Sequence, residues 1–316
     1  MPKVEWGMLI VNYLFLGGLS AGLFFVSALA TYLPQREEIS YARIARYGAL
    51  MAPWPVAIGS LLLIFDLGTW HRFYKLFLHF RWQSPMSLGS WLLLVFSLLA
   101  LAYFWAWLPD SLRSAAVARF RLPRRLDRDF SASRPLLAAV GFPISIGVAI
   151  YTGVLLGAVQ ARPFWNTNLV AQLFLFSALS TGCAAVILAL SASRKLLDTA
   201  QIQFLYTLDI CLIVLEFFIV LPYILHGELS VEAVRSSLAL ILGGPYTFVF
   251  WAFFLGTGLL VPLVLEILEV SPALFSGKLL HHNRRLAGAT AALVIFGGYL
   301  LRYVFVYAGQ ISSFDK

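Results

Sequence analysis

Apolar runs of about twenty residues or more recur along this chain, each long enough to cross a bilayer as a helix. In hydrocarbon every backbone polar group must be satisfied within the segment, so such runs are restricted to helices or closed barrels. Their length here excludes the short alternating strands of a barrel. Only 12% of the 316 residues are charged, about half the share of a soluble domain. The expected fold is an all-α polytopic membrane protein with eight transmembrane helices near 8–33, 46–67, 87–109, 135–160, 169–193, 202–226, 242–267 and 286–308. The first run is too long for the apolar core of a signal peptide and has no small-residue cleavage site after it.

A net charge of +8 raises nucleic acid as a partner, but the basic residues sit in connectors, where they set orientation instead. The odd-numbered connectors hold 15 of the 23 lysines and arginines, and the termini with the even connectors hold 7; Arg302 falls inside span eight. The odd connectors are therefore expected on the cytoplasmic side and both termini outside. The arginine-rich connector 110–134 reads as this topology signal rather than as a ligand site.

The outward connector between spans two and three runs against that bias. It reads DLGTWHRFYKLFLHFRWQSPMSLGSW, from Asp66 to Trp91. A second irregularity is an internal echo. GLSAG at 18–22 in span one resembles ALSTG at 178–182 in span five, and small residues at this spacing let helices approach closely. Both spans run in one direction, so the expected organisation is two four-helix bundles, 1–160 and 161–316, related as parallel repeats.

Haem in a membrane subunit is held by histidines facing one another across helices. The five histidines, His71, His79, His226, His281 and His282, all lie outside the middle of the spans, so neither haem nor a metal site is expected. Cys183 and Cys211 are isolated inside apolar spans and read as packing residues. The ionisable residues at or within spans are Asp66, Asp209, Glu216, Glu266 and Arg302. A charge in hydrocarbon is costly, and each is a functional candidate for that reason. Glu266, near the end of span seven, is expected to snorkel to the interface. Asp66 or Glu216 paired with Arg302 is the structural alternative.

Five stretches stand in order on these spans: GGLSAG, DLG…RF, SPMSLGSW, RPFWN and LRYVFVYAGQ. With them the chain resembles the NrfD/PsrC family, the quinone-binding membrane subunits of polysulfide reductase and related respiratory complexes. The resemblance implies a bacterial inner-membrane subunit of an oxidoreductase. It implies a quinone, menaquinone or ubiquinone, near the outer face under a four-cluster iron–sulfur subunit, which in turn serves a molybdenum-dependent catalytic subunit. Tyr151 matches the family's quinone-bonding tyrosine, and Tyr13 stands where the polysulfide reductase subunit has a quinone-bonding histidine. Asp66, His71 and Arg72 complete the expected quinone site, with Tyr151 and Asp66 in the reactive roles.

A proton path is a further expectation. Asp209, Glu216 and Tyr223 are spaced by seven in span six, near one helix face, with His226 at the outer end and Arg302 nearby. An ion- or proton-translocating module without a redox role is the alternative reading, since prolines 53, 55 and 143 and the Gly243–Pro245 stretch suit the broken helices of transporters.

Overall fold

A computed structural model describes residues 6–33, 41–66, 73–78, 80–193, 199–276 and 283–312. The long helices are α1 (Met8–Tyr32), α5 (Pro85–Trp107), α7 (Arg134–Gly157), α8 (Leu169–Ala192), α9 (Thr199–Glu228) and α12 (Arg284–Ile311). Span two is split into α2 (Ala42–Met51) and α3 (Pro53–Asp66). Pro53 and Pro55 lack the amide hydrogens that a continuous helix uses, so the helix breaks at Ala52. Span seven joins a π-helical segment, Val249–Leu260, to α11 (Val261–Ser276). Short helices α4 (Lys75–Leu78), α6 (Asp110–Arg119) and α10 (Glu232–Leu242) lie in connectors. No strand occurs among the described residues. Eight helices are long and apolar enough to cross a membrane, so this is an all-helical multi-pass membrane protein.

Two boundaries differ from expectation. Span seven begins at Val249 rather than near 242, because Leu242 closes α10 and the turn through Gly243 and Gly244 follows it. Span two begins at Ala42, which places Arg43 and Arg46 on the helix itself. The connector 110–134 is also not a plain loop: it holds α6 and two 3₁₀ turns.

Helices α1 and α8 are the most enclosed spans, with 78% of each apolar window buried. They lie at the centre because their small residues let neighbours close in. A methyl group on Gly22 would come within 2.1 Å of the Ala178 carbonyl oxygen, and one on Gly182 within 2.1 Å of the Gly22 carbonyl carbon. The two echoed stretches therefore cross each other. The equivalent serines do matching work. Ser20 donates to the Ala52 carbonyl at 2.5 Å, at the break in span two, and Ser180 donates to Asp209 on α9 at 2.6 Å. A second close crossing, Gly258 on Gly297, ties the π-helical segment to α12.

Candidate quinone cavity and buried carboxylates

The end of the molecule that carries Trp6 holds a cavity of about 300 Å³. Asp66 at the end of α3, Ser84, Pro85 and Met86 at the start of α5, and Leu155 and Val159 at the end of α7 line it, with Trp6 and Ile10 closing one side. Ser84 caps α5, accepting from the Ser87 amide at 3.4 Å, and Pro85 occupies the first helical position, where no amide hydrogen is needed. The Ser-Pro pair thus fixes where α5 begins, and with it the cavity wall.

Tyr13, Gly89 and Tyr151 each lie about one turn deeper in the membrane than a lining residue. The hydroxyl end of the Tyr151 ring occupies the space beside Gly89: a methyl group there would sit 1.7 Å from the phenol carbon that bears the hydroxyl. Tyr13 is buried with its hydroxyl facing that of Tyr151 and with no other polar partner among the described residues. A phenol hydroxyl can donate once and accept as well, so the pair keeps hydrogen-bonding capacity beyond their mutual contact. A second cavity of about 320 Å³ shares Leu63 with the first and runs between α3 and α5, beneath Phe73 and Phe77. Its lining is apolar except for Ser60, Ser90 and Ser97. Of the expected quinone residues, Tyr13 and Tyr151 face each other and Asp66 lines the cavity; His71 and Arg72 lie outside the described residues.

The wall beside Trp6 has no local signal in the sequence. Trp6 stacks on Trp165 with ring centres 5.2 Å apart, and Gln310 brackets the Trp6 backbone by accepting from its amide and donating to its carbonyl, both at 2.8 Å. Trp165 fills the hollow left by Gly309 and donates to the Phe305 carbonyl at 2.7 Å. Arg162 donates to the Ser312 carbonyl at 2.7 Å. RPFWN and the closing YAGQ are thus two halves of one clasp that fixes Trp6 over the cavity.

The buried ionisable groups cluster between α8, α9, α11 and α12. Asp209 is fully buried, accepts from Ser180, and meets the Glu266 carboxyl. Glu266 faces Asp209 from α11 and is only 1% exposed, so it does not snorkel. The cause is that α11 continues to Ser276, which keeps Glu266 within the bundle. Glu216, also buried, faces Ser177. Arg302 makes no direct ion pair with Glu216 or Asp66; it donates to Ser177 at 2.5 Å and to the carbonyls of Gly298 and Phe174 at 2.9 and 3.1 Å. Ser177 therefore stands between the two charges. Further out, Tyr223 donates to the Phe164 carbonyl at 2.9 Å, and His226 is exposed beside it. No cluster of metal-ligating side chains occurs among the described residues.

Residues 1–313 match the family model described as "Polysulphide reductase, NrfD". One of the chains of polysulfide reductase from Wolinella succinogenes is 31% identical over 97% of the present sequence and 95% of its own length. Protein NrfD of Escherichia coli is 29% identical over 98% and 96%. One of the subunits of selenate reductase from Mesobacillus selenatarsenatis is 26% identical over 98% of the present sequence and 74% of that protein.

Proposed function

Since the chain belongs to the polysulphide reductase NrfD family, we propose that it is the quinone-reactive membrane subunit of a respiratory oxidoreductase whose catalytic metal centre lies in a partner. The observation that carries this reading is a buried pair of facing phenols, Tyr13 and Tyr151, about one helical turn from the lining of a cavity that Asp66 bounds. The residues fit the group: two phenols can donate to a carbonyl oxygen, and the apolar cleft between α3 and α5 suits an isoprenoid tail. A bound quinone supplies a two-electron, two-proton couple at this end of the membrane. Tyr151, seated on Gly89, orients the ring and holds a proton at its hydroxyl. Tyr13 supplies the second donor, and Asp66 at the cavity mouth exchanges protons with solvent. A positioned donor of this kind favours developing negative charge on an oxygen. Trp6 and its clasp exclude water from one side.

The same reading puts both termini on the outer side of a bacterial inner membrane, with bundles 1–160 and 161–316. A four-cluster iron–sulfur subunit, serving a molybdenum-dependent enzyme, would dock over Trp6 and the connector 67–86. Asp209, Glu216, Tyr223, His226 and Arg302, with Glu266 added, form a proton path through the second half. The rival reading, an ion-translocating module without redox chemistry, draws on the π-helical Val249–Leu260 beside Glu266. Affinity isolation of the complex through a tag on this protein separates the two. Retention of an iron–sulfur subunit and quinol-dependent turnover are expected; isolation of the protein free of any iron–sulfur partner would overturn the redox reading.

A further inference from the structure

Two carboxyl groups meet in the interior of the second half. Asp209 on α9 and Glu266 on α11 are 0% and 1% exposed, and their side chains lie in hydrogen-bonding reach of each other. An ionised carboxylate accepts hydrogen bonds and donates none, so two ionised groups could not make this contact. Asp209 takes one bond from outside the pair, from the Ser180 hydroxyl at 2.6 Å. Apart from Asp209, no described group donates to either oxygen of Glu266. The described arginines of α12 do not neutralise the pair. Arg302 donates to Ser177 and to the carbonyls of Gly298 and Phe174, Arg284 donates to the Ser191 carbonyl, and Arg285 is exposed. On α8, Cys183 turns its thiol to the Leu205 carbonyl at 3.4 Å. One turn away on α11, half-buried Glu269 lies beside Tyr206 of α9, and two turns outward on α9 Glu216 faces Ser177. Both acids stand well inside their helices. Glu266 is ten residues from Ser276 and Asp209 is ten from Thr199, about 15 Å of helix in each case.

Two like charges in contact inside a membrane bundle repel each other, and each also loses its hydration. One proton between the oxygens removes both penalties. It supplies the missing donor and leaves one charge in place of two. We infer that Asp209 and Glu266 form an acid pair that holds a single shared proton, a proton-binding site built between α9 and α11. The proton sits on Glu266 and is donated to Asp209, because the Ser180 hydroxyl already stabilises charge on Asp209. A pair that served packing alone would need no carboxyls, since apolar residues fill such space without this contact. The site stands on the contact itself; only its role as a proton store in a longer route rests on the path proposed above. In that role it lies between Glu269 on one side and Glu216 on the other.

The test is infrared spectroscopy of the whole protein, in its isolated complex, at neutral pH. The signal is the C=O stretch of a protonated carboxylic acid, which moves on transfer to heavy water and is absent from ionised carboxylates. Wild type, Asp209→Asn, Glu266→Gln and the double variant are compared. An amide at either position supplies the donor that the shared proton supplies, so each single variant is expected to lose one carboxylic-acid band. The double variant is expected to lose no more. Stepwise loss, one band for each substitution, would mean two separately protonated acids and overturn the sharing. Ser180→Ala keeps both carboxyls and should shift the band by removing a bond to Asp209; an unmoved band would overturn the assignment. Absence of any such band from the wild-type protein would overturn the site without need of a variant. Disappearance of the wild-type band when sodium replaces potassium would put a cation between the carboxyls and overturn the shared proton. Failure of the proton path reads differently: the band and its loss remain, while the membrane potential per turnover is unchanged in the variants.

Discussion

Gly22 and Gly182 meet backbone to backbone where α1 crosses α8, each leaving no room for even a methyl group on the other. The contact joins the two copies of the internal echo and sits between the two most buried helices of the bundle. Substitution should therefore act on the whole molecule. Gly182→Ala forces backbone apart rather than a flexible side-chain tip, at about 1–3 kcal/mol. It should lower the midpoint of thermal unfolding or abolish accumulation in the membrane. Gly17→Ala is the control, because a methyl there meets only a Thr152 carbon at 3.8 Å. Equal stability of the two variants would contradict the crossing.

The seat of Tyr151 predicts a remote route to the same loss. Gly89→Ala pushes the phenol off its position without touching its chemistry. Quinol-dependent turnover should fall on the order of tenfold or more, as expected when a positioning contact moves by about 1 Å. Turnover with an artificial dye that feeds the soluble partners directly should persist. Tyr151→Phe should show the same split. Unchanged quinol kinetics in both variants would remove Tyr151 from the site.

Much of this arrangement is legible in the sequence, because the bilayer leaves few alternatives. The eight spans follow from their apolar length, and the matching small residues at 18–22 and 178–182 mark segments fit for close packing, though not that α1 and α8 would pack on each other. Asp66 and the Ser84-Pro85 pair are visible as polar residues and breakers that topology does not need. What stays hidden is long-range. Nothing in the local pattern says that Trp165 will fill the hollow of Gly309 or that Gln310 will grip Trp6. Glu266 misleads for a related reason: hydropathy gives depth along a span, whereas burial depends on which face α11 turns toward Asp209. The start of span seven misleads because hydropathy does not register that Gly243 and Gly244 turn the backbone before Val249.

Orientation is open to direct measurement. The excess of basic residues on the odd connectors predicts residue 316 outside and residue 120 inside. A reporter active only in the cytoplasm should be silent when fused after residue 316 and active in the 110–134 connector. The reverse pattern would invert the molecule and put the Trp6 cavity on the cytoplasmic side.

The clasp predicts a structural effect on the proposed quinone cavity from residues that do not line it. Gln310→Ala removes both bonds to the Trp6 backbone, and Gly309→Ala drives a methyl into the Trp165 ring. Both variants should free Trp6 and raise the KM for quinol more than they lower kcat, since they loosen the wall and leave Tyr13 and Tyr151 in place. A fall in kcat at constant KM would show instead that the clasp acts on the reacting groups.

The proton path rests on how α8 and α9 face each other. Going outward, Ser180 meets Asp209 and Ser177 meets Glu216, so two buried carboxylates on α9 are each met by a hydroxyl one helix away. Glu266 extends the row beyond Asp209, and half-buried Glu269 follows it by one turn of α11. Arg302 ends the row by donating to Ser177. Seven residues on a helix span about 10 Å, too far for one proton hop, so water must complete the link between Asp209 and Glu216. A purely structural role makes a different forecast. If Glu216 only balances Arg302 through Ser177, then Glu216→Gln keeps the shape, costs stability, and leaves charge movement untouched. If the row carries protons, Asp209→Asn and Glu216→Gln should each assemble, keep dye-linked turnover, and reduce the membrane potential generated per quinol turned over. The decisive quantity is that ratio, measured in proteoliposomes with a potential-sensitive dye. A wild-type ratio in both variants would leave Asp209, Glu216 and Glu266 as structural groups.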